Sequence, residues 1–514
     1  MSGFSLRSAS IAATCAFAFG AAGCSGGHSS VLPNAGSGFT SLLRGDHQGH
    51  YEKIKNTPPT GMQMAFLMTD GSVLTQSYAS FSWYRYVPDN TGNYANGTWS
   101  QVASLPSGYA PSAFASAVLA DGRLAITGGE YNYPGNYDLQ LVNLGAVYDP
   151  VADTWTKLGH PKGWKWIGDS PSSVQPDGKY LVGDKLNEKD ATLDPKSLHW
   201  TAVPHVGKAD FNSEEGWTLL ANGTILTADV KNAPNSEIYN PKTGTWTSAG
   251  STIVDLHSPS PYHQCLQYGP KPKDCYLPPG EIGPSILRPD GTVFYTGSGS
   301  GPSGGGTAHT AIYNSNNGTW ATGPNFPGDD NAGDSFAVLE PSGNVLVMGL
   351  SGRMYEWNGS TLTQVGTWAG PPLLLPSGQV MMLGYSQVVL YSPTGSPQAS
   401  WAPTIKNAPS AVTAGKTYKI TGTQFNGLSQ AMSFGDEFQN ATNYPLVRIT
   451  NASTGHVFYA RTHGHSSMGV ATGSMSVSTN FDVPKTIDNG KSSLVVVANG
   501  IASKPVNVMV SGSK

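Results

Sequence analysis

The chain has 514 residues and a formal net charge of −4, and only 12% of its residues are charged. Its 63 Gly and 37 Pro make up 100 of the 514 residues, a density of helix breakers that argues against a mainly helical architecture and for short strands joined by turns. A hydrophobic share of 38%, with 12 Trp, 23 Tyr and 16 Phe, still supplies a large core, and the lack of any basic run excludes nucleic acid as the default partner.

Residues 1–23 predict an export signal: Arg7 is the lone cation, and Ile11–Gly20 is an apolar stretch too short to span a bilayer. The following Ala21-Ala22-Gly23-Cys24 resembles the bacterial lipoprotein cleavage box, which implies lipidation of Cys24. Ala21 stands where Leu is commonest in that box, and ordinary signal cleavage nearby is the alternative. Residues 24–55, rich in Gly, Ser and His, suit a flexible tether. The expected location is therefore outside a bacterial-type cell, secreted or held at the surface, with membrane contact only through an anchor on Cys24. Beyond Cys15 and Cys24 the chain has only Cys265 and Cys275, whose spacing across a Pro- and Lys-containing loop predicts a local disulfide.

One hairpin pattern recurs seven times: an apolar run, an x-Gly turn and a second apolar run. It reads LMTDGSVL (Gly71), VLADGRLAITGG (Gly122), VQPDGKYLVG (Gly178), LLANGTILTA (Gly223), LRPDGTVFYTG (Gly291), LEPSGNVLVMG (Gly343) and LLPSGQVMMLG (Gly378). A tight hairpin needs positive φ at the turn, which glycine adopts without strain. A Tyr-x-Pro-like turn and a Trp follow in phase, as in Tyr86/Trp99, Tyr148/Trp155, Tyr239/Trp246 and Tyr313/Trp320, and in variant form at Leu193/Trp200, Tyr355/Leu362 and Tyr391/Trp401. Two hairpin strands plus two strands around the aromatic pair give four strands per unit. This periodicity resembles the kelch repeat and predicts an all-β fold with a seven-bladed propeller over residues 56–401. Residues 250–280 form an insertion before the fifth hairpin, carrying the cysteine pair. After Trp401 the blade signatures stop, and the alternating runs of 402–514 predict an immunoglobulin-like β-sandwich.

A signal, a kelch propeller and a C-terminal sandwich resemble the body plan of the galactose oxidase and glyoxal oxidase family over residues 60–514. YPLVRITNASTGHVFYARTHGHSSMGVATG and SLVVVANGIASKPVNVMV look like that family's early-set sandwich. The resemblance implies a sandwich loop carrying a copper-ligating His to the propeller axis, here His465, with His463 as the neighbouring candidate. It also implies two tyrosines, a second His and a Cys fused to one of the tyrosines, nine or ten residues before the hairpin glycines of particular blades. Those positions instead hold Met62, Ala113, Asp169, Glu214, Ile282, Asp334 and Ala369, or Gly61, Ser112, Gly168, Ser213, Glu281, Gly333 and Trp368. Copper is therefore not expected. Tyr262, His263, Cys265 and Tyr268 carry similar side chains, but in the inserted loop, where local polar contacts explain them.

The same counting exposes Asp169, Glu214 (with Glu215 beside it), Glu281 and Asp334 at equivalent positions before four successive blades. Like charges around one axis repel and need an offset. The sequence offers a hard cation such as calcium, a plug of Arg461, His463 and His465, or a retained proton. Trp164, Trp166 and Trp217 lie near these carboxylates in sequence, as expected of a sugar-stacking mouth, or equally of blade core. The expectation is a non-catalytic surface protein that binds glycan or protein at this acidic-aromatic mouth, with no firmly implied cofactor. The alternatives are a metal-dependent oxidoreductase acting on carbohydrate or small alcohols, and a purely structural surface protein.

Overall fold

The computed structural model describes residues 20–21, 30–31 and 49–512, apart from 134–139, 205, 261–262, 268–271, 279, 301–305, 369, 385–386 and 435–437. Cys24 lies outside the described residues. No helix is long and apolar enough to cross a membrane among the described residues.

The fold is all-β, and seven antiparallel sheets succeed one another as propeller blades. The inner strands are Met62–Leu67, Ala115–Val118, Ser172–Val174, Thr218–Leu219, Ser285–Leu287, Phe336–Leu339 and Pro372–Leu374. Each leads into the hairpin read from the sequence. All seven turn glycines take φ between 75° and 89°, the left-handed region where a side chain would be strained. The Tyr–Trp signature becomes a cross-strand pair. Ring centroids are 4.5 Å apart for Tyr86–Trp99, 5.1 Å for Tyr148–Trp155, 5.2 Å for Tyr239–Trp246 and 5.0 Å for Tyr313–Trp320. These are packing contacts between the two outer strands of a blade.

Blade seven departs from the expected pattern. Its fourth strand is His50–Lys53, which pairs antiparallel with Val388–Ser392, while Trp401 sits in a short 3-10 turn. The segment expected to end a tether thus begins the propeller, closing the ring by joining the start of the propeller to its last blade. Closure by a strand distant in sequence satisfies the edge of blade seven, which would otherwise be an open pairing site.

The sandwich spans Thr404–Ser511 and packs around Ile420, Val447, Ile449, Ala460, Phe481, Leu494 and Val508. Its strand Val457–His463 serves both sheets: Val457–Ala460 pairs with Leu446–Asn451, and Arg461–His463 with Val477–Asp482. This strand and the segment after it cross the hairpin turns of the first blades. Thr462 N donates to Thr69 O at 3.1 Å, His465 N to Ala120 O at 3.2 Å and Met468 N to Pro176 O at 3.0 Å.

Residues 428–434 and 438–444 of the sandwich enter the propeller axis and meet all seven blades. Met432–Phe434 adds a strand to the inner edge of blade six. Asn440 Nδ2 donates to Ala65 O of blade one at 3.0 Å and to Pro372 O of blade seven at 3.2 Å. Gln439 N donates to Ser116 Oγ of blade two at 3.1 Å. Gln430 donates to Ser173 Oγ of blade three at 3.3 Å and accepts from Leu219 N of blade four at 2.8 Å. Ser285 N of blade five reaches Ser433 Oγ at 3.5 Å. Phe438 packs edge-on against Phe114, with centroids 4.9 Å apart. The centre of the ring is therefore filled by protein, and successive blades supply hydrogen-bond partners to the buried polar groups of the loop.

Candidate functional site

Each inner strand has a turn at one end, facing the sandwich, and an entry loop at the other. Asp169, Glu214, Glu281 and Asp334 all precede inner strands, so they gather at the end of the axis away from the sandwich. Asp169, Glu214 and Glu281 are 2%, 3% and 5% exposed, so this is an interior cluster rather than an open acidic surface; Asp334 is partly buried. Two further members come from the loop after the second strand of a blade: Lys185 in blade three and Glu130 in blade two, both buried. The Lys185 ammonium binds Asp169 Oδ2 and lies 2.6 Å from Glu214 Oε1.

Lys185 faces five carboxyl groups, and the electrostatics show the excess. Burial pushes Asp169 up to about 7, with Lys185 limiting the rise and Glu214 adding to it. Burial, then the charge of Glu214, also lifts Asp334 to about 7. Glu281 is driven well above the ordinary carboxylate range by burial and by Glu214 and Asp334, with Glu130 contributing. Its Oε1 is buried without a hydrogen-bond partner among the described residues. The cluster thus holds ionised and protonated carboxyl groups side by side near neutrality.

The backbone is strained at this point. Glu214 and Asp334 adopt φ of 61° and 55°, and Ala113, at the same offset in blade two, adopts 49°. Non-glycine residues are rare in this region, and such conformations concentrate at functional sites. The insertion sets the position of Glu281. Ser258 and Glu281 exchange backbone hydrogen bonds of 2.9 and 3.1 Å, closing the base of the inserted loop. Gly280 permits this pairing, since a Cβ there would lie 1.8 Å from Ser258 O. Within the loop, Cys265 and Cys275 face each other across a two-stranded hairpin and form the disulfide. His263 is exposed, and Tyr262 and Tyr268 lie outside the described residues.

Glu215 does not belong to the axial set. It turns into blade four, where Lys208 Nζ lies 2.7 Å from both Glu215 Oε1 and Glu237 Oε2. Asp190, Asp210 and Asp229 complete this second buried cluster. Burial raises Asp190 and Asp229 to about 7 and Glu215 well above its ordinary value. Burial opposes the charge of Lys208, but Glu215 and Glu237 outweigh it and raise its pKa.

The three tryptophans do not form a common stacking surface. Trp164 is 6% exposed and belongs to the propeller core, and Trp217 is 2% exposed with its ring 5.7 Å from that of Trp246. Trp166 is partly exposed, with Lys165 Nζ 5.2 Å from its ring centroid. The two histidines sit at the opposite end of the inner strands from the carboxylates. His463 Nε2 lies 3.1 Å from Asp482 Oδ1 and Arg461 Nη1 lies 3.1 Å from Asp482 Oδ2, so neither neutralises the axial ring. His465 Nδ1 lies 2.8 Å from Thr479 Oγ1, and burial, with His463 and Arg461 nearby, lowers its pKa to about 3. The residues that enter the axis are 428–434 and 438–444, upstream of the histidine segment.

A copper–radical centre of the kind that the resemblance implies needs imidazole and phenolate donors. The axial cluster is built from carboxylates and an ammonium, so its donor set does not fit a copper centre of that kind. Sequence reasoning missed Glu130, Lys185 and Asp229, which lie six to eight residues after Gly122, Gly178 and Gly223. Counting forward from the hairpin glycines, as well as backward, would have found them.

No protein-family model matches the chain, and no curated protein does. Among solved structures, it is similar to a fungal alcohol oxidase of the AA5 family in complex with copper. That likeness has 15% identity and a TM-score of 0.47 and covers 90% of this chain and 99% of that one. It is also similar to the extracellular domain of a putative one-component system from B. thetaiotaomicron, at 11% identity and a TM-score of 0.42, covering 91% of this chain and 58% of that one. A third is Kuenenia stuttgartiensis hydrazine synthase, at 15% identity and a TM-score of 0.40, covering 69% and 98%. At this distance the likeness concerns the course of the chain and carries nothing about chemistry.

Proposed function

We propose that this is an exported, non-catalytic recognition protein that binds a glycan at the propeller mouth, through Asp334, the partly exposed member of the axial carboxylate cluster. The observation that carries the reading is the convergence of Glu130, Asp169, Glu214, Glu281 and Asp334 from blades two to six around Lys185. Carboxylates accept hydrogen bonds from sugar hydroxyls, and a protonated carboxyl also donates one. A cluster that keeps both forms near neutral pH therefore matches a ligand whose hydroxyls donate and accept. The left-handed backbone at Glu214 and Asp334 supports the reading, because strain of this sort persists where geometry serves a purpose. Export is supported by the signal-like residues 1–23 and by a disulfide, which persists in oxidising compartments. Surface attachment through Cys24 belongs to the same proposal.

The test is a glycan array followed by calorimetry, using the wild-type chain and the variants Glu281→Gln and Asp334→Asn. The expected result is saturable binding by the wild type that both variants lose while staying folded. Absence of binding by the wild type, together with a rise in melting temperature in either variant, would move the cluster to a purely structural role.

A further inference from the structure

We propose that Asp210, Glu215 and Asp229 bind one calcium ion in blade four, at a site separate from the axial cluster. One carboxylate oxygen from each residue lies within 4.8 Å of the others. Oxygens sharing a calcium ion at about 2.4 Å are at most about 4.8 Å apart, so the three lie within the span that one shared ion requires. Asp229 is 3% exposed, and its Oδ1 has no hydrogen-bond partner among the described residues. A buried carboxylate oxygen left in that state is costly unless something positive reaches it.

Lys208 brings a single positive charge to five carboxyl groups, too little to balance them. Asp190, Asp210, Glu215, Asp229 and Glu237 are all buried around Lys208, whose ammonium is shared between Glu215 Oε1 and Glu237 Oε2 at 2.7 Å each. Among the described residues the other oxygen of Glu215 meets only a long contact, 3.4 Å from the Trp217 indole nitrogen. Asp210 Oδ2 accepts from Val230 N and Lys231 N at 2.8 Å, which fixes it against the segment carrying Asp229. The ion would thereby join the loop that enters blade four to the loop that leaves its second strand. All donors are hard oxygens, the ligand type calcium takes.

The experiment uses the full mature chain loaded with calcium chloride and desalted, with elemental analysis and terbium luminescence sensitised by Trp217. The expected result is one calcium per chain and a terbium signal that calcium displaces. In Asp229→Asn the affinity should fall at least about tenfold, whereas Glu281→Gln, in the axial cluster, should keep it. Calcium should raise the melting temperature of the wild type and of Glu281→Gln, and chelator should lower it; this comparison serves if Asp229→Asn does not fold. Wild-type protein without calcium overturns the proposal, as does calcium lost from Glu281→Gln and retained by Asp229→Asn. Glycan binding is read separately and bears on the axial site alone.

Discussion

Glu214 and Glu215 are adjacent in the chain yet belong to different charge clusters: Glu214 Oε1 meets Lys185 at 2.6 Å, and Glu215 Oε1 meets Lys208 at 2.7 Å. The left-handed φ of 61° at Glu214 accompanies this split, one carboxylate facing the axis and the next the interior of blade four. Two buried acid-rich clusters are thus joined through one strained peptide. Among the described residues each gathers five acidic side chains around one lysine, so neither is neutral when fully ionised.

Removing Lys185 should be strongly destabilising. Its side chain is fully buried between Asp169 and Glu214, and its loss leaves those carboxylates without their cation. Breaking a buried ion pair from one side costs about 3–5 kcal/mol. Lys185→Met should therefore lower the melting temperature, and more at pH 8 than at pH 5, as followed by circular dichroism. An unchanged profile would mean that Lys185 does not hold the cluster.

Stability should fall as pH rises from about 4 to about 7. In the fold Asp169, Asp190, Asp229 and Asp334 titrate at about 7 and Asp184 at about 6, all raised chiefly by burial from an ordinary 3.8. The folded chain therefore holds more protons than the unfolded chain in that window, and the slope of stability with pH is negative there. Glu281, raised further, extends the fall to higher pH. Scanning calorimetry across pH 4–9 without added metal should show the melting temperature dropping, with a shallower drop in Asp334→Asn.

The axial loop should make the propeller and sandwich unfold together. Phe438→Ala removes an aromatic anchor that is 7% exposed at the centre of the ring, a change costing about 3–5 kcal/mol. Asn440→Ala leaves the Ala65 and Pro372 carbonyls without this donor, at about 1–3 kcal/mol. Both variants should shift a single calorimetric transition downward. Two separated transitions in the wild type would show that the loop does not couple the units.

Replacing Cys265 and Cys275 by Ser should loosen the insertion and leave the blades folded. The disulfide closes a hairpin inside the insertion, while its base is held by the Ser258–Glu281 pairing. Limited proteolysis should cut between residues 259 and 280 faster, with the main transition moving by less than about 4 °C. Global unfolding would place the disulfide in the propeller core instead.

The blade repeat was legible because its causes are local. A glycine at each turn, apolar runs on either side and a Tyr–Trp pair set a few residues apart each act within one hairpin, so they survive in the linear order. The carboxylates before each blade could be found by the same counting, since every repeat places its entry loop at the same end of the axis. Which lysine each carboxylate meets could not be read, because Lys185 and Lys208 depend on how neighbouring blades are rotated about the axis. The separation of Glu215 from Glu214 turns on one backbone dihedral.

The sequence by itself determined the seven hairpins, the change of fold after Trp401 and the pairing of Cys265 with Cys275. Tertiary structure alone decided that His50–Lys53 closes blade seven, that residues 428–434 and 438–444 rather than the histidine segment fill the axis, and that the acidic residues form two interior clusters. The physical reason is range. Turn conformation and strand alternation are set by near neighbours, whereas ring closure, axial filling and the pairing of buried charges join residues that meet only once the propeller has formed.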